Sequence, residues 1–248
     1  MFSLKTFGGL RLEREDGSIV EVRGRWLALL AVIAAAEERG ASRDQILGIL
    51  WPELDQGRGS HNLSQVLYSL RRLVGEELAS VDAQVLRLDA SKIITDLAQL
   101  QSAIRDRKWA EVSRLYRGPF LAGFYLEDAP DFERWSEGVR GSLARDAEHA
   151  IEQYAEQCDR SGDASEGRAT WRRLADLDPL NSRFAYQYIM ALAKSGDRGG
   201  AVRHGQAHTT LLKEELGSAP PTRMVELLER LQRGTFVSTQ REEIPKRP

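Results

Sequence analysis

The stretch SGDASEGRATWRRLADL, beginning at Ser161, returns in outline as SGDRGGAVRHGQAHTTL from Ser195, an offset of 34 residues. Each copy places a break between two segments with helical apolar spacing. Asp178–Pro179 closes the first unit, because proline cannot continue a helix. A helix pair of this size cannot bury its apolar face alone. Successive pairs must stack, so this part of the chain is expected to be a layered helical array.

Thirty-four residues is the tetratricopeptide period. The repeat predicts two stacked helix hairpins over residues 146–214, with Trp171 buried between them. Helical patterning extends back to about residue 93, interrupted by one long irregular connection, GPFLAGFYLEDAPDF. From Gly234 the chain reads GTFVSTQREEIPKRP, with no periodicity, and residues 234–248 are expected to be a flexible tail.

Residues 1–92 have another character. LKTFGGLRLE and GSIVEVRG alternate apolar and polar residues around glycine breaks, which suggests two or three short strands. GRWLALLAVIAAAEERG is a first helix with a glycine stop. SRDQILGILWP starts on an N-cap serine and ends before Pro52, giving a second helix. GRGSHNLSQVLYSLRRLVG supplies a third, and LASVDAQVLRLDA reads as a hairpin turning near Asp82–Gln84. Strands, three helices, then a hairpin is the order of a winged helix-turn-helix, whose third helix enters the DNA major groove. The fold class expected is therefore mostly α: an α+β winged helix followed by an all-α tetratricopeptide-like domain.

On a helical wheel, Leu63, Val66, Leu67, Leu70, Leu73 and Val74 share one face of the third helix. The opposite face carries His61, Gln65, Tyr68, Ser69 and Arg72, with Arg58 in the approach. Gln pairs well with adenine and Arg with guanine, while Ser and Tyr reach phosphate oxygens. Gly57 and Gly59 are expected to form a lead-in that brings the helix N-terminus close to a phosphate. The bland reading is a solvated outer face on an ordinary amphipathic helix. Against it, the segment from Gly57 to Gly75 holds three arginines and no acid, although Glu53, Asp55, Glu76 and Glu77 bracket it.

Charge argues the other way. Residues 1–90 hold 11 Lys/Arg and 13 Asp/Glu, whereas DNA-binding domains are usually basic. A monomer should then bind DNA modestly, with paired copies on repeated sites compensating through effective concentration. The same imbalance supports a rival reading, a tetratricopeptide scaffold whose winged helix contacts protein rather than DNA.

Several stretches together resemble the SARP-type bacterial transcriptional activators, which join an OmpR-type winged helix to a bacterial transcriptional activation domain. FGGLRLE resembles the opening strand, RWLALLAVIA the first helix, ILGILWPE the second and LSQVLYSLRRLVG the recognition helix. GPFLAGF with Trp135, LADLDPLN and LLKEELGSAP resemble parts of the activation domain. The resemblance implies a DNA-binding domain over residues 1–92 and an activation domain over 93–233. It implies binding of double-stranded DNA at promoter repeats and recruitment of RNA polymerase, with self-association as a homodimer through the helical domain.

Other constellations are weaker. His204 and His208 have a chelating spacing, but Gly205 stands where a metalloprotease motif needs glutamate and no third ligand is in view. Cys158, the single cysteine, reads as a small core residue and fits a reducing cytoplasm. Trp26, Trp51, Trp135 and Trp171 read as core aromatics, with Trp109 ambiguous. Neither a phosphate-binding glycine loop nor a serine nucleophile elbow is present, so no enzyme, cofactor or metal is expected. The longest apolar run, WLALLAVIAAA, is too short to cross a bilayer, and a cytoplasmic protein without membrane contact is expected.

Overall fold

The computed structural model describes residues 1–236 apart from Ala83. The chain divides into two compact units, Met1–Ala147 and Glu148–Pro248. The fold class is the expected one, mostly helical with an α+β winged helix at the start.

In the first unit, β1 (Phe2–Lys5) runs antiparallel to β2 (Arg11–Arg14), which pairs with β3 (Ile19–Val20). Alternation puts Phe2, Leu4 and Leu12 inside. Gly8 and Gly9 adopt positive φ in the connecting turn. Three helices follow: α1 (Gly24–Ala35), α2 (Arg43–Leu50) and α3 (Gln56–Val74). Ser42 caps α2 through Gln45 N, as its position in the sequence suggests. Leu29, Leu30, Ile33, Ile46, Leu50 and Leu63 are fully buried among them.

The hairpin is β5 (Ala79–Asp82) and β6 (Val85–Leu88), and Ala83 between them lies outside the described residues. A short β4 (Ala41–Ser42) pairs with β6. Gly40 enters β4 at φ 70°, and a Cβ there would stand 2.7 Å from Leu86 O, so glycine is required. One strand has no counterpart in the sequence reading. β7 (Ile93–Thr95) lies parallel to β1 and completes the first sheet in the order β3-β2-β1-β7.

Next come α4 (Asp96–Arg105), α5 (Trp109–Leu115) and the irregular stretch ahead of α6 (Pro130–Ser161). That stretch is anchored by aromatic edges. Phe120 meets Phe7 and Trp135, while Phe132 meets Phe124 and Trp135. Leu121 N also donates to Thr6 O at 2.8 Å.

The second unit takes the end of α6, then α7 (Ala164–Leu177), α8 (Ser182–Lys194), α9 (Arg198–Leu216) and α10 (Thr222–Arg233). The repeat is visible atom by atom at its turns. Gly162 and Gly196 are both left-handed, at φ 79° and 86°. The next residue, Asp163 or Asp197, caps the following helix through the N–H of Glu166 or Gly200. Trp171 is buried as expected, 1% exposed, and its indole N–H donates to Asp159. Of the expected tail, residues 234–236 are described. Gly234 ends α10 in the left-handed region and Arg230 stacks on Phe236; the remainder lies outside the described residues.

Candidate nucleic-acid interface

Helix α3 is amphipathic because Gly59, Leu63, Val66 and Leu70 recur at steps of three and four and are buried. Gly75, left-handed at φ 85°, ends it. Of the six residues expected on the outer face, Arg58, His61, Gln65, Tyr68 and Arg72 are exposed and Ser69 is half-buried. Tyr68 is 63% exposed, high for an aromatic on a packed domain.

Three details of the sequence reading are corrected. The helix begins at Gln56, so Gly57 and Gly59 are helical residues rather than a lead-in. Gly59 serves packing: a Cβ there would meet Leu47 of α2 at 3.2 Å. The helix N-terminus is already occupied, because Asp55 accepts Arg58 N at 2.9 Å and pairs with the Arg58 guanidinium at 2.6 Å. Those two contacts hold the Asp55 carboxyl below its ordinary range, and a carboxylate at the cap repels a phosphate from the same place. Leu73, assigned to the inner face, is 41% exposed, while Leu67 and Val74 are half-buried.

Arginines outside the expected set join this face. A shallow groove between α1 and α3 is lined by Arg23, Arg25, Trp26, Asn62, Gln65 and Ser69, and a neighbouring one by Trp26, Tyr68, Ser69, Arg72 and Leu73. The Arg23 guanidinium sits 5.4 Å from the centre of the Trp26 ring, which holds the cation at the groove edge. Arg25 reaches the Glu127 carbonyl at 3.4 Å. Sequence reasoning passed over both because α1 reads as a core helix. The one signal was RGRW, two arginines around a glycine at its start. Other cations nearby are engaged. Arg71 pairs with Glu77 at 2.7 Å, Lys92 with Asp89 at 3.1 Å, and Arg87 donates to the Glu38 and Arg39 carbonyls. The cationic part of the face is therefore Arg23, Arg25 and Arg72, with Arg58 held beside its acid.

Residues 81–232 match the bacterial transcriptional activator domain. The chain belongs to that family. The SARP-type character expected from the sequence is thus the one found, and it places the chain among bacterial transcriptional regulators. EmbR of Mycobacterium tuberculosis, solved in complex with a low-affinity phosphopeptide, has a similar fold, with a TM-score of 0.64 at 21% identity. The alignment covers 95% of the present chain and 66% of that chain. No curated protein matches the sequence.

Within the activator-domain family match, the two repeat histidines are structural. His208 Nδ1 lies 3.0 Å from the Pro179 carbonyl, which can only accept, so Nδ1 carries the proton. Its Nε2, 3.0 Å from Ser182 Oγ, then accepts a hydrogen bond from the Ser182 hydroxyl. His204 packs edge-on to Tyr188 at 4.8 Å. Burial holds both imidazoles below their ordinary range. Cys158 is buried against Gly167, and burial pushes its thiol up. Trp51 and Trp171 are buried, while Trp26, Trp109 and Trp135 are half-buried. No described helix is long and apolar enough to cross a membrane.

Proposed function

We propose that this protein is a cytoplasmic transcriptional activator that binds double-stranded DNA through α3 and recruits RNA polymerase through its helical region. Residues 1–92 carry the reading function and residues 93–233 the recruiting one. The observation that carries this reading is the exposed row His61, Gln65, Tyr68 and Arg72 on the outer face of α3. Arg23 and Arg25 flank that row at the start of α1. Gln65 and Arg72 are suited to base edges. Arg23, Arg25 and Arg58 are suited to phosphates, with Ser69 and Tyr68 lining the path between.

The interface is weakly charged, since Asp55 and Glu77 already pair with Arg58 and Arg71. Affinity then depends on two copies binding adjacent repeats, each raising the effective concentration of the other. Selection of bound duplexes from a random pool tests the reading. A repeated motif should emerge, and its binding should be lost in a Gln65→Ala, Arg72→Ala double variant that melts normally. Equal, weak binding of all duplexes by wild type and variant would instead assign the winged helix to protein contacts.

A further inference from the structure

The outer row of α3 is not uniformly polar. Tyr68 is 63% exposed. At 3.6 residues per turn it shares an arc of about 60° with His61, Gln65 and Arg72. It stands in line between the two side chains suited to base edges, with Gln65 about 4.5 Å before it along the helix axis and Arg72 about 6 Å beyond it. Nor is the ring a lone apolar group. Leu73, 41% exposed, and the half-buried Trp26 line the same notch, together with Ser69 and Arg72. Single exposed apolar residues are ordinary on a protein surface, whereas a contiguous set marks a contact.

What such a ring can meet on DNA is limited, and the inference that follows rests on the DNA-binding reading of α3. Base edges in the major groove are mostly hydrogen-bonding atoms, which Gln65 and Arg72 match and an aromatic ring does not. The apolar group displayed there is the thymine 5-methyl. Laid against the ring, that methyl removes apolar area of both partners from water.

We propose that Tyr68 is a specificity-determining residue whose ring covers a thymine 5-methyl, in a base pair lying between those read by Gln65 and Arg72. The helix carries Gln65 and Arg72 about 10 Å apart, or about three steps of ~3.4 Å along a strand, which leaves room for about two pairs between them. This role belongs to the ring. Phosphate binding would use the hydroxyl alone.

Thymine and uracil share one hydrogen-bonding edge and differ in that methyl, so deoxyuridine is the probe. The full chain is titrated with the duplex motif recovered by selection, each thymine being replaced in turn by deoxyuridine in every repeat. One replacement, between the positions whose preference Gln65→Ala and Arg72→Ala relax, should weaken wild type by about fourfold per repeat, the worth of one buried methyl. Tyr68→Phe keeps the ring and should keep that loss. Tyr68→Ala should bind the thymine and uracil duplexes equally. Thermal melts establish that both variants fold, as an exposed position allows. A motif without thymine between those positions, or wild-type binding indifferent to uracil there, overturns the methyl contact and leaves the DNA-binding reading standing. A thymine preference that survives Tyr68→Ala, or one that Tyr68→Phe also loses, overturns the role of the ring. Recovery of no motif at all overturns both readings.

Discussion

The Asp96 carboxylate receives the backbone N–H of Thr6 at 2.9 Å and the Thr6 hydroxyl at 2.7 Å. It also accepts Phe7 N at 3.2 Å. One buried acid on α4 thereby satisfies the chain where it leaves β1, ninety residues earlier. Asp96→Ala leaves two buried N–H groups without an acceptor and should cost about 3 kcal/mol. Thr6→Val, which removes only the hydroxyl, should cost about 1 kcal/mol. Urea melts of the two variants should keep that order, and equal losses would deny Asp96 its role.

A fragment ending at residue 92 lacks both β7 and Asp96. It should give a poorly dispersed proton–nitrogen NMR spectrum, whereas residues 1–147 should give a dispersed one. A well-dispersed spectrum from the shorter fragment would show that β1 and β2 hold without their parallel neighbour.

The sequence carried the periodic features well and the non-local ones poorly. The three helices, the hairpin and the 34-residue repeat are short-range patterns, and each is present. β7 was missed because three residues of parallel strand have no turn to announce them, and their partner lies at the other end of the domain. The start of α3 was misread because Asp55 was counted as a flanking charge, when its carboxylate caps the helix. Leu73 lies at the edge of the apolar stripe, beside Tyr68 and Arg72 in the outer groove, and is left partly in solvent. Arg23 and Arg25 belong to the candidate site only through the packing of α1 beside α3, which a linear reading does not contain.

Trp171 is 1% exposed and donates to Asp159. Trp171→Ala should cost about 3–5 kcal/mol through the cavity it leaves. Trp171→Phe keeps most of the volume, and water can replace the indole N–H at the exposed Asp159 carboxylate, so it should cost only about 1 kcal/mol. A melting temperature unmoved by the alanine variant would contradict the packing.

Acid should weaken the second unit through its histidines. Burial lowers the folded values of His204 and His208 below the ordinary 6.5, so the unfolded chain takes up protons first. Their contribution to stability is complete above about pH 6.5 and is lost as pH falls through the folded values. Glu152, whose carboxyl burial pushes up, acts in the opposite direction at more acidic pH. The imidazole effect is isolated by comparison with His204→Phe, His208→Asn, in which the asparagine amide can still donate to Pro179. Melting temperatures from pH 8 to 5.5 should fall more steeply for wild type; parallel curves would exclude the histidines.

Salt should separate the arginines. Alanine at Arg23 or Arg25 should weaken all duplexes alike and lower the salt slope by about one unit each. Alanine at Arg72 should cost about 1–3 kcal/mol on the selected site and relax its base preference. Arg58→Ala should change the slope less than Arg23→Ala, because Asp55 already offsets its charge. Fluorescence titrations at several salt concentrations read all four, and an unaltered slope for Arg23→Ala and Arg25→Ala would remove α1 from the interface.

The parallel pairing of Phe2 with Ile93 also sets an order of events on the ribosome. β1 leaves the exit tunnel early and can fold back on β2 at once, but its other edge has no neighbour until residue 93 has emerged. At about 5–20 residues per second that is an interval of roughly 5–20 s. Throughout it the nascent chain shows an open strand edge of the kind that recruits other strands. A ribosome paused between residues 20 and 93 would prolong that exposure. The first strand made is thus the one whose sheet is finished last.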